Sequence, residues 1–338
     1  MNVLTDDWPG LYAERWGNDC APAALAHPAK FSRALIRRIY EHAVAEGWLC
    51  SGDTVLDPFA GVALGALDAL RLGLCWLGVE LEPKFVALGR QNIGMWDNRY
   101  GSLLQRWGRA ALVQGDSRRL VEVLSEAPEI NCAISSPPYV DSRVESDLQR
   151  QAQAITVRIQ DVQPGYGNSS GQLAAMPEGN VQAVISSPPY ESSMERWGKE
   201  PSAMMQAYGL TARYGDSNGQ LATAGEDFWS AAYLVVAQTF ALVRPGGHAI
   251  FVTKNFVREG KVVEFSQQWA QLCEACGFRL AHWHRAWQVE HNGTAFTLDG
   301  GNVERKVSRK GFFRRLYESK HPENAIDWED VLCFSKLA

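Results

Sequence analysis

Long apolar runs are missing from this chain of 338 residues: none approaches the roughly 20 residues needed to span a bilayer, so no membrane segment is expected. The first residues, Met1-Asn-Val-Leu-Thr-Asp-Asp7, are too acidic for a secretory signal, and a cytoplasmic protein is expected. Cysteine is sparse. Seven residues, an odd number and scattered, argue against a disulfide framework. The close pair Cys273 and Cys276 lies in a segment that reads as a helix ending at Gly277, and it has no second ligand pair beside it. Core packing is the expectation there, and no metal site is expected. An excess of positive charge is also lacking, since the net charge is −5. The balance does not advertise a polyanion binder, although local clusters matter more than the sum.

The content that remains is that of an ordinary globular α/β protein, with 46% hydrophobic residues. Residues 31–46 carry helical periodicity through Leu35, Ile36, Ile39, Tyr40 and Ala43. A strand Thr54–Asp57 then runs into Pro58-Phe-Ala-Gly61, followed by a helix from Leu64 to Leu72 and a strand Trp76–Glu80. This is a βαβ unit with an acid at the end of each strand. Leu112–Asp116 reads as a third strand and Arg118–Leu124 as a short helix. Phe228–Val243 reads as a long helix stopped by Arg244-Pro-Gly-Gly247, and His248–Thr253 as a strong strand. Such alternation predicts a doubly wound, mainly parallel sheet.

Ser-Ser-Pro-Pro-Tyr occurs twice, at Ser135–Tyr139 and Ser186–Tyr190, each after a short apolar run that reads as a buried strand. Each copy thus sits where open α/β sheets bind ligands. Paired prolines hold the backbone out of a helix, leaving a hydroxyl, a carbonyl and an aromatic face on a rigid loop. Around them runs a local repeat. Gly115-Asp-Ser117, Gly167-Asn-Ser169 and Gly215-Asp-Ser217 recur at intervals of about fifty residues, and the last two extend to Tyr-Gly-(Asn/Asp)-Ser-x-Gly-Gln-Leu-Ala. Too few copies exist for a solenoid, so a duplication within one domain is expected.

In this order the motifs resemble the amino-methyltransferase family of DNA modification enzymes, of the Ser-Pro-Pro-Tyr type. The resemblance implies a Rossmann-like class I methyltransferase fold, S-adenosylmethionine as cofactor, and methyl transfer to an exocyclic amine of a flipped base. It implies cofactor-binding roles for His27 and Phe31, for Asp57, Pro58, Phe59, Ala60 and Gly61, for Glu80 (on the ribose hydroxyls) and Leu81, and for Asp116 and Ser117 near the adenine. Taken on its own, His27 reads as a packing or loop residue. Ala63 stands where the family loop carries its second glycine.

Catalysis is expected from Ser136, Pro137, Pro138 and Tyr139, with Ser187, Pro188, Pro189 and Tyr190 as the alternative copy. No Pro-Cys dipeptide of the cytosine ring-carbon enzymes is present. Ser before Pro-Pro-Tyr leans toward cytosine N4; adenine N6 and a catalytically silent DNA-binding relative stay open, as does RNA or protein-amide methylation.

DNA is the partner implied, through the basic cluster at 305–320, with Lys306, Arg309, Lys310, Arg314 and Arg315 as phosphate contacts. Lys254, Arg258 and Lys261 extend it. A homodimer and a cognate restriction nuclease remain open. The expected organisation is an N-terminal helical segment (1–50) completing the cofactor site, a methyltransferase core (51–139 and 226–338), and a repeat-bearing insertion (140–225) for target recognition. No separate recognition domain is expected after the last strand.

Overall fold

The computed structural model describes residues 3–27, 31–137, 228–258, 260–296, 302–308, 320–322 and 325–338. Eight strands form one sheet. In chain order they are β1 (Leu4–Trp8), β2 (Thr54–Asp57), β3 (Cys75–Glu80), β4 (Arg109–Gln114), β5 (Ile130–Ser135), β6 (Val243–Thr253), β9 (Arg279–Trp287) and β12 (Trp328–Ser335). Two hairpins stand outside it: β7 (Phe256–Arg258) with β8 (Lys261–Val263), and β10 (Val289–Phe296) with β11 (Asn302–Ser308). The spatial order is β1-β9-β12-β6-β5-β2-β3-β4. Only β12 runs antiparallel to its neighbours, β6 and β9. The doubly wound, mainly parallel sheet expected from the alternation is therefore present.

The central strands are continuous apolar runs because both of their faces are covered. Alternation then assigns each residue to a side. Val55, Cys132, Ile134, Ile250, Val252, Val331 and Cys333 join one core, under α1 (Arg33–Ala45), α2 (Ala66–Arg71) and α3 (Pro83–Tyr100). Leu56, Ala133, Ala249, Phe251, Leu332 and Phe334 join the other, under α4 (Leu120–Val123), α5 (Phe228–Leu242) and α6 (Phe265–Ala275). Cys273 is buried in this second core, as its packing reading required.

Several elements differ from expectation. The acidic start of the chain forms β1, an edge strand whose first four residues are exposed and whose Trp8 is buried; pairing with β9 makes it a strand where composition does not. Helix α3 was not foreseen. Pro83 sits in its first turn, where a missing N–H costs nothing, and Phe85, Val86, Gly89, Asn92, Ile93 and Trp96 form its buried face. Arg244–Gly247 follows directly on the end of α5, as expected, but lies within β6 and not in a loop. There Val243 pairs with Ile130 and the register shifts before His248. No helix among the described residues is long and apolar enough to cross a membrane.

Candidate functional site

The strand order reverses between β2 and β5: β3 and β4 extend the sheet on one side, β6 on the other. Outside the carboxyl ends of such a pair lies the crevice where open α/β sheets take ligands. Asp57 ends β2 and Ser135 ends β5, and the Ser135 hydroxyl donates to Asp57 Oδ1 at 2.6 Å. The first serine of the pentapeptide is thus bonded to the first residue of the Asp57–Gly61 loop, across the switch point. Phe59 N–H donates to the same Oδ1 at 3.1 Å. Burial outweighs these donors and pushes the Asp57 carboxyl up to about 7.

The loop after β2 is folded back on its neighbours. Gly61 N–H donates to Glu80 Oε2 and Glu82 N–H to Glu80 Oε1, both at 2.9 Å, so the acid ending β3 holds the loop and the start of α3 together. Burial raises the Glu80 carboxyl to about 7, with the two backbone donors and then the nearby Glu82 and Asp57 charges as smaller influences. Each carboxylate oxygen can accept more than one hydrogen bond. Lone pairs remain on Glu80 for a ligand's hydroxyl groups.

Gly61 has φ +53, and a Cβ there would meet the His27 ring at 3.0 Å. Glycine is needed both for the left-handed turn and for this close approach. His27 is buried and packs edge-on to Phe85, with ring centroids 4.3 Å apart. The N-terminal segment is fastened to the loop a second time by Asn92, whose Oδ1 accepts from Ala21 N–H and whose Nδ2 donates to Val62 O, both at 2.8 Å. Tyr40 on α1 donates to Gly65 O at 2.9 Å. Ala63 adopts φ +62, a left-handed conformation that L-residues seldom take.

After β4, the Ser117 hydroxyl donates to Pro58 O at 2.5 Å, drawing the third acid-bearing loop onto the first. The Asp116 carboxylate accepts from Arg118 N–H at 2.9 Å and from the Arg118 guanidinium, so it is neutralised within its own turn. The Ser136 hydroxyl donates to Val252 O at 3.2 Å on β6. Pro137 is buried. Pro138, Tyr139 and the whole second copy, Ser187 to Tyr190, lie outside the described residues.

The structure thus gathers His27, Asp57, Pro58, Gly61, Glu80, Ser117 and Ser136 at one sheet edge. Phe31 packs against the core that holds Ala60, Val62 and Phe85, and its carbonyl accepts from the Trp16 indole at 2.9 Å. Ser135, Asn92 and Tyr40 were not foreseen as parts of the site. The doubling of serine before Pro-Pro was the available signal for Ser135.

Of the basic residues, Lys306 falls on β11, while Arg309, Lys310, Arg314 and Arg315 lie outside the described residues. Lys254 is engaged by Gln288 and lies 4.0 Å from Glu329.

Fold and site together define a Rossmann-like α/β domain with a carboxylate at the end of each of the adjacent parallel strands β2 and β3. Residues 5–91, which hold His27, the Asp57–Gly61 loop and Glu80, match the N6/N4 DNA methylase family model, and the match supports the DNA amino-methyltransferase resemblance. A comparison with curated proteins returned no match.

Among solved structures, TrmN from Thermus thermophilus is similar at 14% identity and TM-score 0.41, over 94% of this chain and 52% of that one. This chain therefore spans about half the length of TrmN. A SAM-dependent methyltransferase from Methanosarcina mazei is similar at 9% identity and TM-score 0.38, over 87% and 97% of the two chains. Precorrin-6y C5,15-methyltransferase from Geobacter metallireducens is similar at 8% identity and TM-score 0.38, over 88% and 89%.

Proposed function

We propose that this protein is a DNA amino-methyltransferase that uses S-adenosylmethionine and acts on cytosine N4, with the first Ser-Ser-Pro-Pro-Tyr copy as its catalytic loop. The DNA methylase match supports the enzyme class and its cofactor. The observation that carries the choice of loop is the Ser135–Asp57 hydrogen bond at the switch point, which joins the pentapeptide to the cofactor loop.

The residues present suit such a cofactor. Glu80 is a buried carboxylate with acceptor capacity to spare, the chemistry a ribose diol requires, and Gly61 with His27 above it forms a turn that a side chain would block. When bound, S-adenosylmethionine supplies an electrophilic methyl group on a sulfonium.

An aromatic amine is a poor nucleophile because its lone pair is delocalised into the ring. Acceptors on its hydrogens make the nitrogen more tetrahedral and stabilise the positive charge that grows there. The Ser136 hydrogen is already committed to Val252 O, which leaves the oxygen's lone pairs to accept. The Pro137 carbonyl is the second acceptor in this reading, and Tyr139 the stacking partner of the flipped base. With S-adenosylmethionine bound, these acceptors would hold the amine in line with the methyl group, helped mainly by proximity, so that the N–C bond would form as the S–C bond breaks, the thioether leaves and the nitrogen gives up one proton. The basic residues 305–320 are proposed as phosphate contacts, and residues 140–225 as the target-recognition segment.

The test is nucleoside mass spectrometry on varied duplex and single-stranded DNA incubated with the protein and S-adenosylmethionine. N4-methylcytosine is expected. N6-methyladenine in its place would move the target to adenine; the absence of both would sink the enzyme reading. Ser136→Ala and Pro137→Ala should abolish transfer while cofactor binding survives, and the same changes at Ser187 and Pro188 should mainly weaken DNA binding. The reverse pattern would transfer the catalytic role to the second copy.

A further inference from the structure

Four of the chain's seven histidines meet on the sheet face covered by α1: His42 from the helix, His282 and His284 from β9, and His248 from β6. His282 and His284 are two residues apart on a strand, so both side chains leave the same face. His42 Nε2 lies 3.0 Å from His282 Nδ1 and 3.3 Å from His284 Nε2, and the three ligating atoms lie within 4.8 Å of one another. We infer that His42, His282 and His284 form a binding site for one transition-metal ion of the zinc class.

Valence limits what these three rings can offer one another. An imidazole nitrogen offers either one N–H or one in-plane lone pair. His42 Nε2 faces two other ring nitrogens and can satisfy only part of that arrangement with a single proton. A cation accepting a lone pair from each ring resolves it. Two nitrogens about 2.0–2.1 Å from a tetrahedral zinc stand about 3.3–3.4 Å apart, close to the two separations seen. Three histidines with a remaining position for water is a donor set that zinc commonly takes.

His42 and His284 are buried, and His284 Nδ1 has no hydrogen-bond partner among the described residues. The Asp6 carboxylate on β1 and the Arg38 guanidinium on α1 both act electrostatically on these rings, with opposite sign. His248 stands apart from the ligand set: it stacks on Trp48, centroids 4.4 Å apart, and Trp48 in turn lies 5.2 Å from His42. An ion here would tie α1 to β9. Because α1 also carries Tyr40, bonded to Gly65, the tie would brace the layer behind the cofactor loop.

The experiment uses the full chain without a histidine tag, stripped with a chelator and titrated with Co2+ alone. One equivalent should bind with the intense visible bands of four-coordinate cobalt, quench Trp emission, and be displaced by Zn2+, which should raise the melting temperature. His282→Gln, at the half-buried ligand, should weaken binding by at least about tenfold, the loss that removing even an outer partner of a metal ligand produces. A wild-type spectrum of six-coordinate aquo character, or failure to retain one equivalent through gel filtration, overturns the inference without reference to any variant. So does undiminished binding by a His282→Gln chain whose circular dichroism is native.

Discussion

Two buried clusters of ionisable groups sit on this sheet, and burial drives them in opposite directions. At the β2–β5 switch point the carboxyls of Asp57 and Glu80 are pushed up to about 7. Under α1, His284 and His248 are pushed down to about 4. In both places the neutral form is favoured because a charge is poorly solvated there.

The clusters differ in what answers that cost. The acids are met by donors belonging to the chain: Ser135 and the Phe59 amide on Asp57, the Gly61 and Glu82 amides on Glu80. Among the described residues, the converging nitrogens of His42, His282 and His284 meet one another. The first cluster is completed by hydrogen bonding within the fold and retains lone pairs for a ligand's hydroxyls. The second is only partly met, since one proton on His42 Nε2 cannot serve both neighbouring nitrogens and His284 Nδ1 has no hydrogen-bond partner among the described residues.

The contrast has its largest consequence in pH dependence. A carboxyl whose folded pKa is raised contributes stability that is full below its unfolded value, 3.8 for Asp57 and 4.5 for Glu80, and lost as pH rises through about 7. An imidazole whose folded pKa is lowered contributes stability that is full above 6.5 and lost as pH falls through about 4. The two clusters therefore oppose each other across the same window, and the wild-type melting temperature should vary little from pH 4.5 to 7. Glu80→Gln removes one acidic arm. Its stability should rise with pH relative to wild type over that window, by on the order of 3 kcal/mol. Thermal melts of both chains at matched ionic strength check this, and parallel curves would refute the opposition.

A smaller effect separates the two serines of the pentapeptide. Ser135→Ala removes a donor from Asp57 and leaves the Phe59 amide on the same oxygen. A hydrogen bond to a charged group contributes about 1.5–3 kcal/mol, so the loss should approach that figure above pH 7, where Asp57 is ionised, and shrink toward pH 5. Ser136→Ala, which loses only a 3.2 Å bond to a backbone carbonyl, should cost less stability at every pH. Urea titrations at the two pH values distinguish them. A pH-independent loss for Ser135→Ala would show that Asp57 is not ionising in the folded state.

Much of the first cluster was legible in the sequence because it is local. Thr54–Asp57 is a strand buried on both sides, so its apolar run stops at the acid, and the spacing to Glu80 follows from one βαβ turn. What escaped was set by tertiary contact. Ser135 looks like its neighbour until the pairing of β2 with β5 turns it toward Asp57. The pairing of Asp116 with Arg118, two residues on, also had no sequence signal beyond their spacing. Helix α3 hid behind Gly89 and Asn92 on its buried face, residues chosen for close approach and for clasping Ala21 and Val62. The histidine cluster was half legible. His282 and His284 share a strand face by spacing alone, but His42 lies 240 residues from His282, and only the seating of α1 on β9 brings it there.

The smallest expected effect concerns Ala63, in the loop of the first cluster. Its φ of +62 costs an L-residue roughly 1–2 kcal/mol, and glycine at this position would remove that strain. Two terms oppose the gain. Glycine adds about 0.4–1 kcal/mol of unfolded-chain entropy to be lost on folding. The buried methyl group, which packs against α3 near Gly89, is worth about 0.8 kcal/mol. The sum is close to zero. Ala63→Gly should therefore shift stability by less than about 1 kcal/mol and leave cofactor affinity unchanged, since the Ala63 and Ala66 amides keep their partners, Ala60 O at 2.8 Å and Ala63 O at 3.0 Å. Denaturation with and without S-adenosylmethionine measures both quantities. A gain well beyond that bound would mean that strain, not packing, dominates the loop, and that the acids of the first cluster are held in place against a backbone that resists them.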